Sequence, residues 1–427
     1  MKTKLLIFGI TGDLGTHKLL PALEQIISTG NFNDLSIIGV SRHDVSAIDL
    51  LSSCKEKSFL GDKLSVFSMD LAESSDYIRL KEFVALGADE QLLVYLAVPP
   101  QAVAQIIAKL GESGMNTPNI KILFEKPFGV DLASAEEVAK LISRYFLEDQ
   151  IYRIDHYLAK EMAQNIVAIR GKNALFSNMW NSNFIESIDI IAFEAIGIEG
   201  RANFYEQTGA LRDLVQGHLM QLLALTLMEI PANLDWSRLP ELRLAALNQL
   251  QPADPQKVIR AQYNGYKDEV GNQDSKVETF VSLELTSNQP RWVGVPIKLV
   301  TGKALDRKTS EIRIHLKKTD DAQSNCLVFR IQPNEGIDIE LFIKKPGYNR
   351  EFETRHLSFN YPDGDKLPDA YEQVIVDAIS SHKSLFTSSE EVLQSWRILQ
   401  PIQDDWNSAQ EPPRLYPEGS GVNSILA

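Results

Sequence analysis

Between residues 4 and 150, short apolar runs alternate with helical patterns, and this alternation narrows the choice of fold more than any other feature of the chain. "KLLIFG" at 4–9 is an apolar run ending in glycine, the pattern of a buried parallel strand feeding a tight turn. "THKLLPALEQIIST" follows with apolar residues at helical spacing, and its Pro21 stands one turn in, where a helix start tolerates proline. "LSIIGVSR" at 35–42, "LSVFSMDL", "QLLVYLAVPP" and "NIKILFEKPFG" read as further strands. Strand and helix in alternation predict a parallel doubly wound sheet.

After residue 165 the texture changes. Helical patterns occupy 206–250, and then "TFVSLELTS", "VGVPIKLVTG", "SEIRIHLKK", "CLVFRIQP" and "IDIELFIKK" succeed one another with little helix between. Their alternation predicts antiparallel strands with one packed face. "DAYEQVIVDAISSH" and "SSEEVLQSWRILQPI" return to helix, the second with a capping-box pattern if Ser388 or Ser389 is the cap. The tail from Gln410 is rich in Pro, Gly and Ser and is expected to wrap loosely or fray. A chain of 427 residues calls for two lobes. The expected architecture is an α/β Rossmann-type dinucleotide-binding domain over 1–155, followed over 156–427 by an α+β domain with a large, mainly antiparallel sheet.

A formal net charge of −14 argues against a nucleic-acid or anionic-membrane partner, since a general phosphate-binding surface needs a basic excess. Cys54 and Cys326 match no metal or redox spacing and read as buried free thiols in a reducing compartment, so no metal is expected. The leading apolar run is too short for a signal peptide, and "LMQLLALTLMEIP" is a core helix rather than a membrane span. The expected location is the cytoplasm.

Gly9, Gly12 and Gly15 lie between a strand and a helix, where small residues let backbone approach a pyrophosphate at a helix N-terminus. An NAD site usually has an acid after its second strand; Ser41 and Arg42 stand there instead and suit a 2′-phosphate, although Arg42 also reads as a solvated loop arginine beside Asp44. Lys126 ends another strand, as an active-site ammonium or a lysine in water. In "RIDHYLAKE" at 153–161, a helix from residue 157 would set His156 and Lys160 on one face, able to converge on a phosphate. Asp155 points elsewhere and could orient a second histidine, or simply cap the helix. His218, in the apolar "GALRDLVQGHLMQLLAL", is a candidate for that histidine or a satisfied core residue. Asp213 lies five residues before it, Glu194 ends an apolar strand, and Lys303 follows a strand and a glycine.

Taken together, these stretches resemble the glucose-6-phosphate dehydrogenase family nearly end to end. "GITGDLGTHKLLPAL", "YLAVPP", "EKPFGVDLASA", "RIDHYLAKE", "ETFVSLEL", "VGVPIKLVTGKAL" and "FRIQPNEGI" occur in the family's order. The most specific, "RIDHYLAKE", is similar to the family's R-I-D-H-Y-L-G-K-E with Ala159 for Gly. The resemblance implies oxidation of glucose 6-phosphate to 6-phosphogluconolactone, the first step of the oxidative pentose phosphate pathway, with NADP as coenzyme and NAD as a secondary one. It also implies His218 as general base with Asp155 as its carboxylate partner. His156, Tyr157 and Lys160 would grip the sugar phosphate, and Lys126, Glu194, Asp213 and Lys303 would orient the sugar. Gly9, Thr11, Gly12, Asp13, Leu14, Lys18, Arg42 and Lys126 would serve the coenzyme. A homodimer or homotetramer paired through the large sheet is the implied assembly.

The chain departs from the family pattern at Gly15, Thr16 and His17, at Ser182, Gly217 and Val300, and in a shortened segment after Gly39. These changes bear on coenzyme and sugar rather than on reaction type. A paralogue acting on another phosphorylated aldose, and a silent sugar-phosphate or dinucleotide-binding protein, are the alternative readings.

Overall fold

The computed structural model describes residues 2–51, 59–319, 324–362, 367–409 and 411–427. Cys54 lies outside them. The chain forms two compact units: Met1–Gly129 with Ala133–Ala159 and Pro368–Ser389, and Val130–Leu132 with Lys160–Leu367 and Glu390–Ala427.

The first unit holds the predicted parallel sheet. Its strands are β1 (Lys2–Phe8), β2 (Leu35–Ser41), β3 (Leu64–Ser68), β4 (Glu90–Leu96), β5 (Ile120–Phe124) and β6 (Ile151–Ile154). They lie side by side in the order β6-β5-β4-β1-β2-β3, and the two-residue strand Phe386–Thr387 closes the β6 edge antiparallel. Strand order reverses between β1 and β4, so the connections after them leave in opposite directions and open a crevice at their C-terminal ends. Leu5, Leu6, Ile7 and Phe8 have no exposed surface, as a strand covered on both faces must be, and each such side chain contributes about 1.5–3 kcal/mol.

Two local departures from the predicted pattern have clear causes. The helix after β1 begins as a π-helix, Gly15–Leu19, in which the N–H of Leu20 donates to the Gly15 carbonyl, and only then becomes α1 (Leu20–Ser28). Pro21 therefore falls in the first turn of α1, where its missing N–H costs nothing. The helix Ala370–Ile379 packs Val374, Ile375 and Ala378 into the same core as Leu5, Ile7 and Leu93, far upstream in the chain. Lys121 Nζ donates to the carbonyl of Ala378 (2.6 Å) and to Ser381 Oγ (2.8 Å) at that helix's C-terminal end, and burial lowers this lysine to about 8.

The second unit is built on a nine-stranded sheet: β7 (Ile185–Phe193), β8 (Val258–Tyr263), β9 (Phe280–Leu285), β10 (Ile297–Gly302), β11 (Thr309–Leu316), β12 (Cys326–Gln332), β13 (Gly336–Lys344), β14 (Phe352–Asn360) and the short Arg414–Tyr416. Its order is β14-β13-β12-β11-β7-β10-β9-β8-(Arg414–Tyr416). The β7–β10 pair and the outermost pair are parallel and the others antiparallel. Beside it stand α2 (Glu161–Lys172), α3 (Ala202–Ala210), a π-helix (Leu211–Leu219) and the fully buried α4 (Met220–Leu227).

A helix end buried this deeply needs partners for its last carbonyls. Trp180 Nε1 donates to Thr226 O (2.8 Å), Trp292 Nε1 to Leu227 O (2.9 Å), and Arg170 to Leu225 O and Met228 O (2.5 Å each). The C-terminal tail does not fray as its composition suggests. Tyr416 is buried, its backbone extends the sheet beside β8, and residues 422–426 form a final helical turn. Among the described residues no helix is long and apolar enough to cross a membrane.

On the sheet face turned away from Ile188, Ile190, Ile312 and Ile314, Nε2 of His315 meets Asp189 Oδ2 at 2.9 Å, and Cys326 lies directly across the β11–β12 pair. The Asp189 bond, and after it the one to Cys326, raises this imidazole to about 10. A histidine raised in the folded state stabilises below its unfolded pKa of ~6.5 and loses that contribution as pH climbs through the folded value. His315→Gln is thus expected to lower stability most at pH 6, by on the order of 1 kcal/mol, with a matching drop in melting temperature, and to match wild type by pH 10.5. A difference that is constant with pH in scanning calorimetry would refute the charged pair.

Candidate active site

At the C-terminal end of β1 the backbone turns through Gly9, whose φ is +79° and on which a Cβ would come within 2.3 Å of the Ala97 carbonyl oxygen. Only glycine fits there. Gly12 N–H donates to Gly9 O (2.9 Å), Thr16 Oγ1 donates to Gly12 O (2.9 Å), and a Cβ on Gly15 would meet Ile10 O at 2.3 Å. Gly15 therefore suits this tightly wrapped turn. The cleft above it measures about 320 Å³ and is lined by Gly9, Thr11, Gly12, Ser41, Arg42 and Ala97 to Pro99. Ser41 is buried and accepts the His43 N–H on its Oγ (3.1 Å), while Arg42 is exposed. A glycine-rich backbone cradle at the end of β1 with an arginine beside it fits a dinucleotide. Of the other predicted coenzyme residues, Asp13, Leu14 and Lys18 follow on the turn and π-helix outside this lining, with Asp13 paired to His17 at 3.0 Å.

Two neighbouring strand ends of the same unit carry further groups. Glu125 and Lys126 follow β5, and Tyr95 Oη donates to Glu125 Oε1 at 2.6 Å. Burial pushes the Glu125 carboxyl up to about 7; Asp155 adds to the rise, whereas Tyr95 and Lys126 oppose it. Sequence reasoning passed over Glu125, although an acid beside a lysine at the C-terminal end of a buried parallel strand was a usable signal. Asp155 follows β6 and is 1% exposed. Its Oδ1 accepts the N–H of Tyr157 (2.9 Å) and its carbonyl that of Leu158 (3.1 Å). The carboxylate thus organises a turn over 156–159, and the helix expected from 157 begins only at Glu161. The turn sets the His156 and Tyr157 rings 5.0 Å apart.

In the second unit, Lys160 precedes α2 with extended backbone, and the first turn of that helix is capped from a distance: Met162 N–H donates to Glu335 Oε2 at 2.6 Å. Burial raises Glu335, with Lys160 opposing. Glu194 and Lys303 follow β7 and β10, parallel neighbours whose last residues, Phe193 and Gly302, are in register. Their side chains form an ion pair in which Lys303 is 2% exposed. Asp213 and His218 share the π-helix, whose i→i+5 bonding brings residues five apart toward one face; His218 is buried. Gly209 precedes it at φ +64°, where a Cβ would strike Glu278 Oε1 at 2.4 Å, and that carboxylate accepts the N–H of Leu211 (2.9 Å). Tyr205, which sequence reasoning did not single out, stands with its ring 5.2 Å from Lys303 Nζ. This unit therefore presents an imidazole, two carboxylates and an ammonium suited to hydroxyl groups and proton transfer.

Two family models cover the chain: "Glucose-6-phosphate dehydrogenase, NAD binding domain" over residues 6–165 and "Glucose-6-phosphate dehydrogenase, C-terminal domain" over 167–424. Similar proteins include glucose-6-phosphate 1-dehydrogenase of Chlamydia muridarum, 34% identical over 99% of this chain and 95% of the relative. That of Gluconobacter oxydans is 35% identical over 97% and 93% respectively. A solved structure of glucose-6-phosphate dehydrogenase in complex with its substrate glucose-6-phosphate matches with a TM-score of 0.92 at 31% identity, covering 100% of this chain and 97% of the other.

The raised Glu125 gives a stability signature. A carboxyl raised in the folded state stabilises below its unfolded pKa of ~4.5 and loses that contribution as pH rises through about 7. Glu125→Gln keeps an acceptor for Tyr95 and cannot ionise. Its melting temperature relative to wild type is expected to rise between pH 5 and pH 8, and a flat difference would refute the buried titration.

Proposed function

This chain belongs to the glucose-6-phosphate dehydrogenase family, and on that premise we propose that it oxidises glucose 6-phosphate at the anomeric carbon to 6-phosphogluconolactone with NADP, the first step of the oxidative pentose phosphate pathway. The observation that carries this reading is the π-helix, which sets a buried histidine one long turn from Asp213 in the unit that also holds the Glu194–Lys303 pair. His218 takes the proton of the anomeric hydroxyl, since loss of hydride from that carbon requires the oxygen to become a carbonyl. Asp155 serves as the carboxylate partner of His218 and stabilises the imidazolium. His156, Tyr157 and Lys160 hold the phosphate; Lys126, Glu194, Asp213 and Lys303 orient the sugar hydroxyls.

Gly9, Thr11 and Gly12 would receive the coenzyme pyrophosphate and Arg42 the 2′-phosphate, with Asp13, Leu14, Lys18 and Lys126 on the same side. When bound, the nicotinamide supplies the hydride acceptor. NAD serves as a secondary coenzyme. The assembly is a homodimer or homotetramer paired through the large sheet, a reading supported by β13 and β14, where Ile343, Phe352, Leu357 and Phe359 are each more than 40% exposed. A reducing compartment, the cytoplasm, accords with the buried Cys326, which is in no disulfide.

A second reading, oxidation of another phosphorylated aldose, draws on Val300, which stands buried beside Phe193 and Phe280 where the family often has an arginine. Initial rates of nicotinamide reduction with glucose 6-phosphate against a panel of aldose phosphates decide between them. Selective NADP reduction with glucose 6-phosphate is expected, and selectivity for another sugar would transfer the assignment to that sugar. His218→Asn should lower kcat by roughly 10²–10⁴-fold with little change in KM; a raised KM at normal kcat would remove it as the base. Arg42→Ala should raise KM for NADP roughly tenfold and for NAD much less, and equal losses would show that Arg42 does not read the 2′-phosphate.

A further inference from the structure

Lys303 is a closely held cation of the sugar-orienting set. Its N–H donates to Thr279 O (2.9 Å), and its carbonyl accepts from Tyr416 Oη (2.6 Å), so the backbone is fixed on both sides. Its ammonium pairs with Glu194, a side chain that keeps 30% of its surface exposed. Behind the ammonium stands Tyr205, 1% exposed, with the Nζ 5.2 Å from its ring centroid. Tyr205 is braced by Tyr266, whose ring meets it at 67° with centroids 6.1 Å apart, and Tyr266 Oη is itself tied to Glu206 at 2.8 Å. The Tyr205 hydroxyl has no hydrogen-bond partner among the described residues.

We infer that Tyr205 is a positioning residue for the sugar phosphate, its ring face holding the Lys303 ammonium in place while leaving the N–H groups not used by Glu194 for the substrate. The inference rests on the reading that Lys303 orients the sugar. A lysine head carries three donors on a flexible four-carbon stem, and one carboxylate constrains it in one direction only. An aromatic face attracts the charge from a second direction without taking up a donor, and does so most strongly where water is excluded. The partnerless hydroxyl points to the ring as the working part, because a hydroxyl retained for hydrogen bonding has a partner when buried.

The test is steady-state kinetics on three variants. Tyr205→Leu keeps apolar bulk but has no ring; it is expected to raise KM for glucose 6-phosphate roughly tenfold, with KM for NADP unchanged and kcat within about threefold. Tyr205→Phe is expected to rescue that KM to within about threefold of wild type, and to raise the melting temperature because the unpaired buried hydroxyl is gone. If the Phe variant loses as much as the Leu variant, the hydroxyl is the active part and the inference fails. It also fails if Tyr205→Leu raises both KM values together, or lowers the melting temperature with KM unmoved, since either marks a merely structural residue. Lys303→Met separates the inference from its premise: a raised KM there with a normal KM in Tyr205→Leu removes only the role of Tyr205, whereas a normal KM in Lys303→Met overturns the sugar-orienting reading and the inference together.

Discussion

Parallel strand pairing governs the polar centre of each unit. Two parallel neighbours end at the same level, so the residues that follow them meet. In the first unit β1 and β4 run in register to Phe8 and Leu96, which brings the turn at Gly9 against the carbonyl of Ala97. In the second, β7 and β10 end together at Phe193 and Gly302, which sets Glu194 beside Lys303. Glu194 N–H donates to Gly302 O (2.9 Å) and Leu305 N–H to Glu194 O (3.0 Å), so backbone bonds continue past the strands and hold both side chains at one height. The second sheet is otherwise mostly antiparallel, and this one parallel pair near its middle is where acid and ammonium converge.

Close packing then decides which residues those positions can hold. A side chain on Gly9 would enter Ala97, one on Gly209 would enter Glu278, and one on Gly302 would enter the ring of Phe280 at 2.6 Å. Gly209 matters most for the chemistry, because the change of direction there lets α3 pass into the π-helix with Glu278 accepting its first N–H. π-helical turns are rare and concentrate at functional sites. Here the wider turn carries Asp213 and His218.

Much of this was legible in the chain. Apolar runs marked β1, β2, β4 and β5, the first of them ending in glycine, because a strand buried on both faces has no polar alternation to hide it. The glycine turn, Ser41 and Arg42 came from the same pattern and line one cleft. β14 escaped notice: its charged and aromatic residues are exposed on both faces, so it has no periodicity to read. Tyr205 was missed for a different reason. It matters through Lys303, a neighbour distant in sequence, and single-chain patterns carry no such pairing, whereas Glu125 stood beside Lys126 at a strand end where its signal was readable. The turn at 156–159 was read as helix because its residues suit a helix, whereas the Asp155 carboxylate competes for the same backbone N–H groups and prevails.

By itself, then, the sequence determined the class of each unit and the dinucleotide turn and marked the candidate side chains, since these depend on local periodicity, on glycine's conformational freedom and on motifs read in order. Only the tertiary structure decided that the helix Ala370–Ile379 completes the core of the first unit, that Tyr416 anchors the tail on the Lys303 carbonyl, and that a tyrosine ring stands behind the ammonium. The physical reason is that each contact joins partners far apart in the chain, by apolar packing in the first case, a hydrogen bond in the second and an ammonium over a ring in the third. Apolar surfaces are alike along the chain and the hydrophobic effect has no direction until close packing supplies one, and a polar donor or cation meets its distant partner only once that packing is in place.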